Sequence, residues 1–584
     1  TQVVNVVLFE QLSSTSLSYE VSMDRYHDGE TKPGGSLSYG GQTGKLNFLV
    51  SALAVPRYAN RAIKEVSVLG DLSLNDEIRE ERVIDQTDYT LSTNLDYQIS
   101  DNSSMCVNAL YAENDNPTTV DRLTIDFQGG ANNSFWQRED IPGTQNNWEI
   151  GGDYEYNFAN GHRFKLLAIA NENETASIRE RYDLLEDGSA TKNLFLDSGS
   201  IVQERIFRGS YSMGITDGHD IEMGLEGAQT ILDSNLRLGL DLSTGTPSAD
   251  FGGLVPVDVA NANTKVEEIR YEPFAIHNWQ INSRMSLETS FVYESSEIEQ
   301  SGDFSNKRDF DFFKPKFDYR FDITSSLQVR FLVEKFVRQI RFSDFVAATD
   351  TEDDDSDIQA GNTELRPDFW WNYNLLTEYR LPNDAGVVSA NLFTHHHKDF
   401  LQRIDVSPSE DDLRSAAGNI GTGDMWVFEL KGSVRLGMFN LPNVLVTSKA
   451  NIRDSEVTDP FLDIERTFTN YSRGRFDIGF RHDLPRWKMN YGMNYTDPFD
   501  HDLTRYDIDD VETQQFDPYV TAFVEKILFD NITFRVDVLN ATDVEFCRDR
   551  ARYVGRVSAN ILEEVEHNCN GSGRSLSLTM SGTF

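Results

Sequence analysis

The amino-acid sequence predicts an all-β protein: a 22-stranded antiparallel transmembrane β-barrel with short periplasmic turns and long extracellular loops. Three observations predict this fold. Apolar and polar residues alternate with period two along many segments, tight turns alternate with long polar connections, and the strand count is even. Aromatic residues are 11% of the 584 residues while Pro is only 16 of them, a composition that favours β structure over disorder.

The alternation is clearest in the segment FKPKFDYRF, residues 313–321. Phe313 and Phe317 share one parity, while Lys314 and Lys316 share the other. Successive side chains of a strand point to opposite faces, so one face is apolar and the other is charged. A membrane barrel needs this arrangement, with lipid outside and water inside, although a soluble β-sandwich also alternates.

The connections separate these two architectures. Short turns such as those at 42–44 and 101–103 alternate with long polar stretches, and such long irregular connections are uncommon in compact soluble domains. An outer-membrane barrel has turns at one end and loops at the other. The long stretches are predicted as outer loops at 55–87, 114–146, 174–200, 231–262, 339–369, 399–425 and 541–573.

The segments between these connections give a count of 22 strands. The segment 63–72 also alternates, but counting it would make the number odd, so it is assigned to the second outer loop. The final strand, RSLSLTMSGTF, is expected to pair with the first, because a closed barrel has no free edge. The strands are predicted near 14–25, 34–41, 45–54, 88–100, 104–113, 147–158, 162–173, 201–213, 218–230, 263–279, 284–298, 307–321, 326–338, 370–381, 386–398, 426–437, 445–455, 467–482, 486–497, 517–529, 532–540 and 574–584.

Six of the seven tryptophans fall at predicted strand ends, and Trp136 falls in a loop. Indole rings settle at membrane interfaces, although strand ends collect aromatic residues in any β protein. The four tryptophans expected at the outer interface are Trp148, Trp370, Trp371 and Trp426. The two expected at the periplasmic interface are Trp279 and Trp487.

The charge balance argues against nucleic acid as a partner. The chain has 53 basic and 95 acidic residues, a net charge of −42, whereas nucleic-acid binding needs a basic footprint. The acidic surface either keeps the protein soluble or suits a saline medium. Neither a nucleophile elbow nor a zinc-binding helix motif is present in the sequence, so no enzymatic activity is expected.

Several segments resemble the TonB-dependent receptor family. The stretch 360–381 is similar to the family's Gly-Asn-x-x-Leu-x-Pro-Glu segment; Gly361, Asn362 and Leu365 match, as does Pro367, while an aspartate replaces the usual glutamate. The matching upstream strand covers 327–347, and 534–546 resembles the late strand that ends in an Asn-Leu-x-Asp turn. The last strand is also similar, and Phe584 matches the terminal aromatic that serves as an assembly signal in outer-membrane proteins.

The resemblance implies a receptor in the outer membrane of a Gram-negative bacterium, which takes up a scarce nutrient by TonB-dependent active transport. Residues 1–13 resemble the last strand of the family's plug domain, and residues 14–584 are expected to form the barrel. The implied partners are outer-membrane lipid and lipopolysaccharide, the chain's own plug or a separate plug chain, the TonB complex, a small nutrient ligand and a surface lipoprotein. The alternative is a plugless passive pore or a surface scaffold.

Cysteine placement predicts one disulfide. Cys547 and Cys569 share the last predicted outer loop, 22 residues apart, and the cell surface is oxidising. Closing such a loop contributes about 3 kcal/mol in the chain-entropy model. Two free thiols, or a metal pair with His567, are the alternatives. Cys106 shares its parity with Asn108 and is expected on the lumen side as a free thiol.

Two clusters raise the question of a metal. His395 and His397 face one way in a strand and His396 faces the other, so the three cannot form one compact site. The acidic stretch 349–357 could hold Ca²⁺ through carboxylate oxygens, but it lacks the Gly and the distal Glu of a helix-loop-helix calcium loop, so a solvated loop is the favoured interpretation. The three candidate ligands there are Asp353, Asp355 and Asp357. No other cofactor is expected.

Overall fold

The computed structural model describes residues 15–128, 133–259, 261–346, 348–349, 358–359, 361–410, 412–498, 503–529 and 531–584. In these residues the chain forms 34 strands and six short 3-10 helices. No helix among them is long and apolar enough to cross a membrane. The predicted plug strand at 1–13 lies outside the described residues.

The strands are β1 (Thr15–Arg25), β2 (Thr31–Thr43), β3 (Leu46–Leu69), β4 (Leu74–Ser100), β5 (Ser103–Asp115), β6 (Thr118–Asp126), β7 (Ser134–Ile141), β8 (Gly143–Asn157), β9 (Arg163–Leu184), β10 (Ala190–Thr216), β11 (His219–Leu240), β12 (Val255–Val257), β13 (Asn263–Asn282), β14 (Met285–Gly302), β15 (Asn306–Asp322), β16 (Leu327–Val337), β17 (Ala348–Thr349), β18 (Ile358–Gln359), β19 (Phe369–Arg380), β20 (Gly386–Lys398), β21 (Leu401–Asp405), β22 (Ser415–Asn419), β23 (Thr422–Leu436), β24 (Leu441–Thr458), β25 (Glu465–Arg466), β26 (Gly474–Leu484), β27 (Met489–Asp497), β28 (Leu503–Tyr506), β29 (Asp510–Phe516), β30 (Tyr519–Leu528), β31 (Ile532–Leu539), β32 (Phe546–Tyr553), β33 (Leu562–Gly571) and β34 (Ser575–Thr583). The 3-10 helices cover Ala249–Phe251, Phe342–Phe345, Pro382–Asp384, Gly437–Phe439, Pro485–Trp487 and Val557–Ala559.

The wall of the molecule is a closed ring of 22 antiparallel strands. The ring closes where β34 pairs with β1, and Phe584 and Leu17 exchange backbone hydrogen bonds of 2.8 and 2.9 Å. Every predicted strand corresponds to one wall strand, so the predicted fold class is confirmed. The wall strands in order are β1–β5, β8–β11, β13–β16, β19, β20, β23, β24, β26, β27, β30, β31 and β34.

Tight turns join the wall strands at one end of the barrel, which we call the short-turn end. The β10–β11 turn requires a glycine at position 218. Gly218 has φ of +78°, and a Cβ atom there would lie 2.8 Å from the backbone oxygen of Gln280 on β13. A side chain at this position would meet both a strained backbone and a neighbouring strand.

The two faces of the wall strands differ as the alternation predicts. On β15, the side chains of Phe313 and Phe317 are 51% and 42% exposed on the outer face. On the inner face, Lys314 Nζ donates to Glu294 Oε2 at 2.6 Å, and a second lysine, Lys316, is paired with a glutamate on β14. The charges therefore lie in the lumen, and the apolar side chains cover the outside.

The prediction that the long connections are irregular is wrong. β3 and β4 have 24 and 27 residues, whereas a strand needs only about 9–11 residues to cross a bilayer. The segment 63–72 belongs to β3 as far as Leu69 and is not a separate strand, so the strand count stays even. Trp136, predicted in a loop, lies on β7.

The long strands carry the same sheet beyond the membrane-spanning wall, where further strands join it. β33 pairs with the outer end of β3, with Cys569 opposite Lys64, and β32 and β29 extend the sheet on that side. β6 pairs with the outer end of β4, and β7 joins β6 to β9. We call this assembly the collar: β6, β7, β28, β29, β32 and β33 with the outer ends of β3, β4 and β9.

The connection between β16 and β19 folds into the barrel mouth. We call residues 338–346 and 361–368 the inner segment. Its side chains Ile340, Phe345 and Leu365 are buried in one apolar cluster with side chains on the inner faces of β11, β13 and β14. These wall residues are Leu232, Val266 and Ile298. The largest apolar core of the molecule thus lies inside the barrel, at its long-loop end.

The facing of β15 predicts how two neighbouring positions react with a water-soluble thiol reagent. With the native cysteines replaced, Lys316→Cys should be labelled from the aqueous lumen, while Phe317→Cys in native membranes should be protected by lipid. The measurement is the labelled fraction of each variant by mass spectrometry, with both labelled in denaturant as the control. Labelling of Phe317→Cys without Lys316→Cys would reverse the assignment of inside and outside.

Candidate ligand-binding site

A cavity of about 890 Å³ lies at the long-loop end of the lumen, between the inner face of the wall and the inner segment. The wall side is rich in hydroxyl groups because every second residue of β9, β10 and β11 faces inward. Ser200 lies opposite Ser234 in the β10–β11 pairing, and its hydroxyl shares a hydrogen bond of 2.8 Å with that of Thr175 on β9. The inner segment contributes an apolar side to the cavity through Ile340 and Phe342.

Two charged residues of β13, Glu268 and Arg270, also line the cavity. Ser296 Oγ donates to Glu268 Oε1 at 2.6 Å, and Arg270 lies 2.8 Å from a carboxylate oxygen of Glu272. Both charged groups are therefore held in place by neighbours on β13 and β14.

One wall of the cavity is backed by a buried charge ladder, which we define as Glu80, Arg82, Arg122, Glu139 and Arg179. The ladder crosses β4, β6, β7 and β9 on the inner face of the collar. Arg122 bonds both carboxylates, at 2.7 Å to Glu80 and 3.1 Å to Glu139. Arg179 bonds Glu139 at 2.6 Å, and Arg82 bonds Glu80 at 3.0 Å. The ladder ties four strands together through charged hydrogen bonds.

The ladder keeps its central carboxylate ionised. Burial alone raises the pKa of Glu139, but the hydrogen bond from Arg179 and the charges of Arg179 and Arg122 outweigh it and hold this pKa below its ordinary value. The fully buried Glu139 thus remains a carboxylate, as expected for a buried acid with close cationic partners.

A second set of ion pairs lies on the inner face of the collar across β29, β32, β33 and β3. Arg550 bonds Asp510 at 2.7 Å and lies 4.0 Å from Glu566. Arg548 lies 3.5 Å from both Glu566 and Glu65. Buried ion pairs therefore occur on both sides of the collar, on its inner face.

The predicted cysteine pair lies on the outer face of the collar. Cys547 and Cys569 are opposite each other on β32 and β33 and form a disulfide with an S–S distance of 2.09 Å. His567 Nδ1 is hydrogen-bonded to Asp549 Oδ1 at 2.6 Å, and its Nε2 lies 3.4 Å from the Cys569 sulfur. These donors lie within 4.8 Å of one another, but the two sulfurs are bonded together and are not available as thiolates. Cys106 is a free thiol on the inner face of β5.

The four tryptophans predicted at the outer interface do not all share one face. Trp370 and Trp371 are neighbours on β19, so their side chains alternate. Trp371 shares its parity with the exposed Tyr373, whereas the ring of Trp370 lies 4.8 Å from that of the buried His397. Trp370 therefore faces the lumen, and its assignment to an outer girdle is wrong. Trp148 and Trp426 are exposed on the outside of the wall.

Trp279 and Trp487 lie near tight turns at the short-turn end. The Trp279 ring stacks on His219 with centroids 5.3 Å apart, and Trp487 lies in the 3-10 helix between β26 and β27. Their contact with the membrane interface stays a prediction. The assembly role of Phe584 also stays a prediction, although its ring stacks on Tyr19 of the first strand at 5.7 Å.

The histidine run 395–397 divides between the two faces of β20. His397 is buried and bonds Asp368 at 3.2 Å, while His396 bonds Asp424 at 2.6 Å. The proposed calcium ligands lie outside the described residues, so that prediction remains open. They are Asp353, Asp355 and Asp357.

The cavity and the charge ladder were not predicted, because Arg82, Arg122 and Glu139 lie in stretches assigned to loops. One signal was present in the sequence. TTVDRLTID, residues 118–126, is rich in β-branched residues, which are enriched in strands, and this composition could have indicated β6. Its partners on β4 and β7 could not be read from the same pattern.

A closed barrel of 22 strands with a ligand-sized cavity at its mouth belongs to the class of outer-membrane transporter barrels. Comparison with protein families agrees. The family described as TonB dependent receptor-like, beta-barrel matches residues 88–541. The chain belongs to this family, whose members are outer-membrane receptors and transporters and not enzymes.

Solved structures share the fold at low sequence identity. The copper transporter OprC matches with a TM-score of 0.67 and 10% identity, over 98% of this chain and 81% of that one. The ferripyoverdine receptor of the outer membrane of Pseudomonas aeruginosa matches with a TM-score of 0.64 and 11% identity, over 98% of this chain and 72% of that one. The ferric yersiniabactin uptake receptor FyuA from Yersinia pestis matches with a TM-score of 0.59 and 13% identity, over 98% of this chain and 81% of that one. No curated protein matches the chain.

The charge ladder predicts a large difference between two charge-neutralising variants of one hairpin. Glu139→Gln removes the buried carboxylate that Arg122 and Arg179 both bond and should cost about 3–5 kcal/mol, a roughly hundredfold or greater rise in hairpin opening. The measurement is amide hydrogen exchange of β6 and β7. The control is Asp121→Asn, which breaks an exposed pair with Arg138 on the same hairpin and should cost at most about 1 kcal/mol. Equal exchange in both variants would contradict the stabilising role of the ladder.

Proposed function

We propose that this protein takes up a scarce small nutrient through the outer membrane of a Gram-negative bacterium by TonB-dependent active transport. The observation that carries the proposal is the cavity of about 890 Å³ at the barrel mouth. Ligand pockets for small molecules measure about 300–1,000 Å³. A protein or polysaccharide chain would not fit within it, whereas a compact metabolite or metal complex would.

The lining favours a ligand with both polar and apolar parts. Hydroxyl groups of the wall, such as those of Ser200 and Ser234, can donate and accept hydrogen bonds. Ile340 and Phe342 of the inner segment supply apolar contact on the other side. The structural neighbours include a copper transporter and receptors for ferripyoverdine and ferric yersiniabactin, and at their low identity they support a transport role through the fold alone.

The inner segment explains why transport would need energy. Its apolar side chains are buried against the wall, and removing each from such contact costs about 1.5–3 kcal/mol. Several side chains must move before a ligand can pass, so thermal motion alone opens this route rarely. An external energy source, the TonB complex acting through a plug domain, would supply that work.

The proposed partners follow from this mechanism. They are outer-membrane lipid and lipopolysaccharide around the wall, a plug in the lumen from this chain or another, the TonB complex, and the nutrient. A surface lipoprotein that covers the collar is also proposed. Calcium at the acidic stretch 349–357 remains a proposal that awaits a binding measurement.

The proposal predicts energised and cavity-dependent uptake. Cells that express the protein should deplete specific compounds from a mixed nutrient medium, and the depletion should stop when TonB is deleted. Ser200→Trp fills the cavity with an indole ring and should reduce uptake at least tenfold. The measurement is mass spectrometry of the medium over time.

The matched control is Ile201→Trp, the adjacent residue of β10 on the outer face. It carries the same added ring outside the barrel and should leave uptake unchanged. Uptake that persists without TonB would instead indicate a passive pore, and uptake unaffected by Ser200→Trp would exclude this cavity as the binding site.

A further inference from the structure

The cavity wall contains a buried guanidinium group with unused hydrogen-bonding capacity. We propose that Arg82 recognises an anionic group of the nutrient, a carboxylate or a phosphate. This inference rests on the proposed function and deepens it, since it names the chemical class of the ligand. Arg82 is only 5% exposed, and it lines the cavity.

The hydrogen bonds of Arg82 show the capacity that remains. Its Nε donates to Glu80 Oε1 at 3.0 Å, while its Nη2 is buried without a partner among the described residues. The second oxygen of Glu80 accepts two bonds from Arg122, at 2.7 and 2.9 Å. Glu80 is therefore shared between two guanidinium groups and cannot satisfy Arg82 fully. Buried donors without partners are rare in folded proteins.

The residues paired directly with Arg82 across the sheet bring no carboxylate to it. Arg61 lies directly opposite Arg82 in the pairing of β3 with β4, and the neighbour on the other side is the apolar Val120. A metal cation would meet two cationic side chains at this position, whereas an oxyanion can accept a hydrogen bond from Arg82 Nη2.

The two acids of the cavity lie on other strands and are already engaged. Glu204 on β10 accepts from Asn171 at 3.1 Å, and Glu268 on β13 accepts from Ser296 at 2.6 Å. Arg270, the other cation of the lining, lies 2.8 Å from Glu272 and 3.9 Å from Glu226, so its charge is shared with two carboxylates. Arg82 is thus the cavity group best placed to take an anionic ligand.

The chemistry of the guanidinium group supports this recognition. Its planar donors match the spacing of carboxylate and phosphate oxygens, and bonds between charged groups are stronger than neutral ones. Gln86 and Thr118 lie on the same part of the cavity lining as Arg82. Their amide and hydroxyl groups can hold polar atoms next to the anionic group, so the site recognises an anion on a larger polar molecule.

A binding measurement on the full-length protein, purified in detergent, tests the inference. Citrate and inorganic phosphate are the probes, titrated by calorimetry at constant ionic strength with chloride as the reference anion. We expect at least one probe to bind, Arg82→Gln to weaken that binding at least tenfold, and Arg82→Lys to weaken it less. Binding of citrate alone assigns a carboxylate ligand, and binding of phosphate alone assigns a phosphorylated one.

The matched control is Arg138→Gln, an arginine on the outer face of the same collar, paired with Asp121 at 3.2 Å. It should leave anion affinity unchanged. Absence of binding to the wild-type protein, or equal affinity in Arg82→Gln, would overturn the proposal. If Arg82→Gln fails to assemble, Ser200→Trp fills the cavity from β10 and must lower the affinity at least tenfold; unchanged affinity in that variant would also overturn it.

Nutrient depletion by cells separates this inference from the proposed function. TonB-dependent depletion of anionic compounds that is lost in Arg82→Gln supports both. TonB-dependent depletion of neutral or cationic compounds only would overturn the anion site and leave transport standing. Arg82-dependent anion binding by the purified protein without any uptake would support the site and contradict the transport role.

Discussion

The structure depends on one constraint: in lipid, every backbone N–H and C=O group must be hydrogen-bonded within the protein. A sheet meets this requirement only if its last strand returns to its first, and here Phe584 and Leu17 exchange the bonds that close the ring. Closure in turn fixes an inside and an outside for every strand. The apolar face of β15, with Phe313 and Phe317, and its charged face with Lys316 are consequences of that single requirement.

Beyond the membrane the same ladder of backbone bonds continues, but a different force holds the side chains. On the inner face of the collar, pairs such as Arg122–Glu139 and Arg550–Asp510 hold the strands together. Replacing both partners of such a pair by apolar residues is often neutral, whereas removing one partner leaves a buried charge and is strongly destabilising. The disulfide between Cys547 and Cys569 adds a covalent link on the opposite face.

Much of the wall could be predicted from the sequence, because alternation and turn spacing are local signals. The collar could not, because its pairings are between distant segments. Lys64 lies opposite Cys569, and nothing in either segment names the other as its partner. The same limit applies to the site. The sequence predicts a loop at Arg82, because crossing a bilayer sets a minimum strand length but no maximum, and β4 continues past that minimum. It also places Trp370 and Trp371 in one girdle, although adjacent residues of a strand face opposite ways.

In the proposed uptake, the inner segment would link ligand binding to opening of the barrel. Ile340 lines the cavity and also belongs to the buried cluster that holds the segment against the wall, and Phe342 packs on that cluster from the cavity side. A ligand in the cavity would therefore touch the same side chains that hold the segment against the wall. It could either replace their contacts with the wall or add further contacts to them. Since a ligand shifts a conformational equilibrium only by its difference in affinity for the two states, the apolar part of the ligand decides whether binding closes or releases the segment. The polar wall, with Arg82 and the hydroxyl groups, belongs to the sheet and would select the ligand. Under the proposed function, selection and gating would thus lie on opposite sides of one cavity.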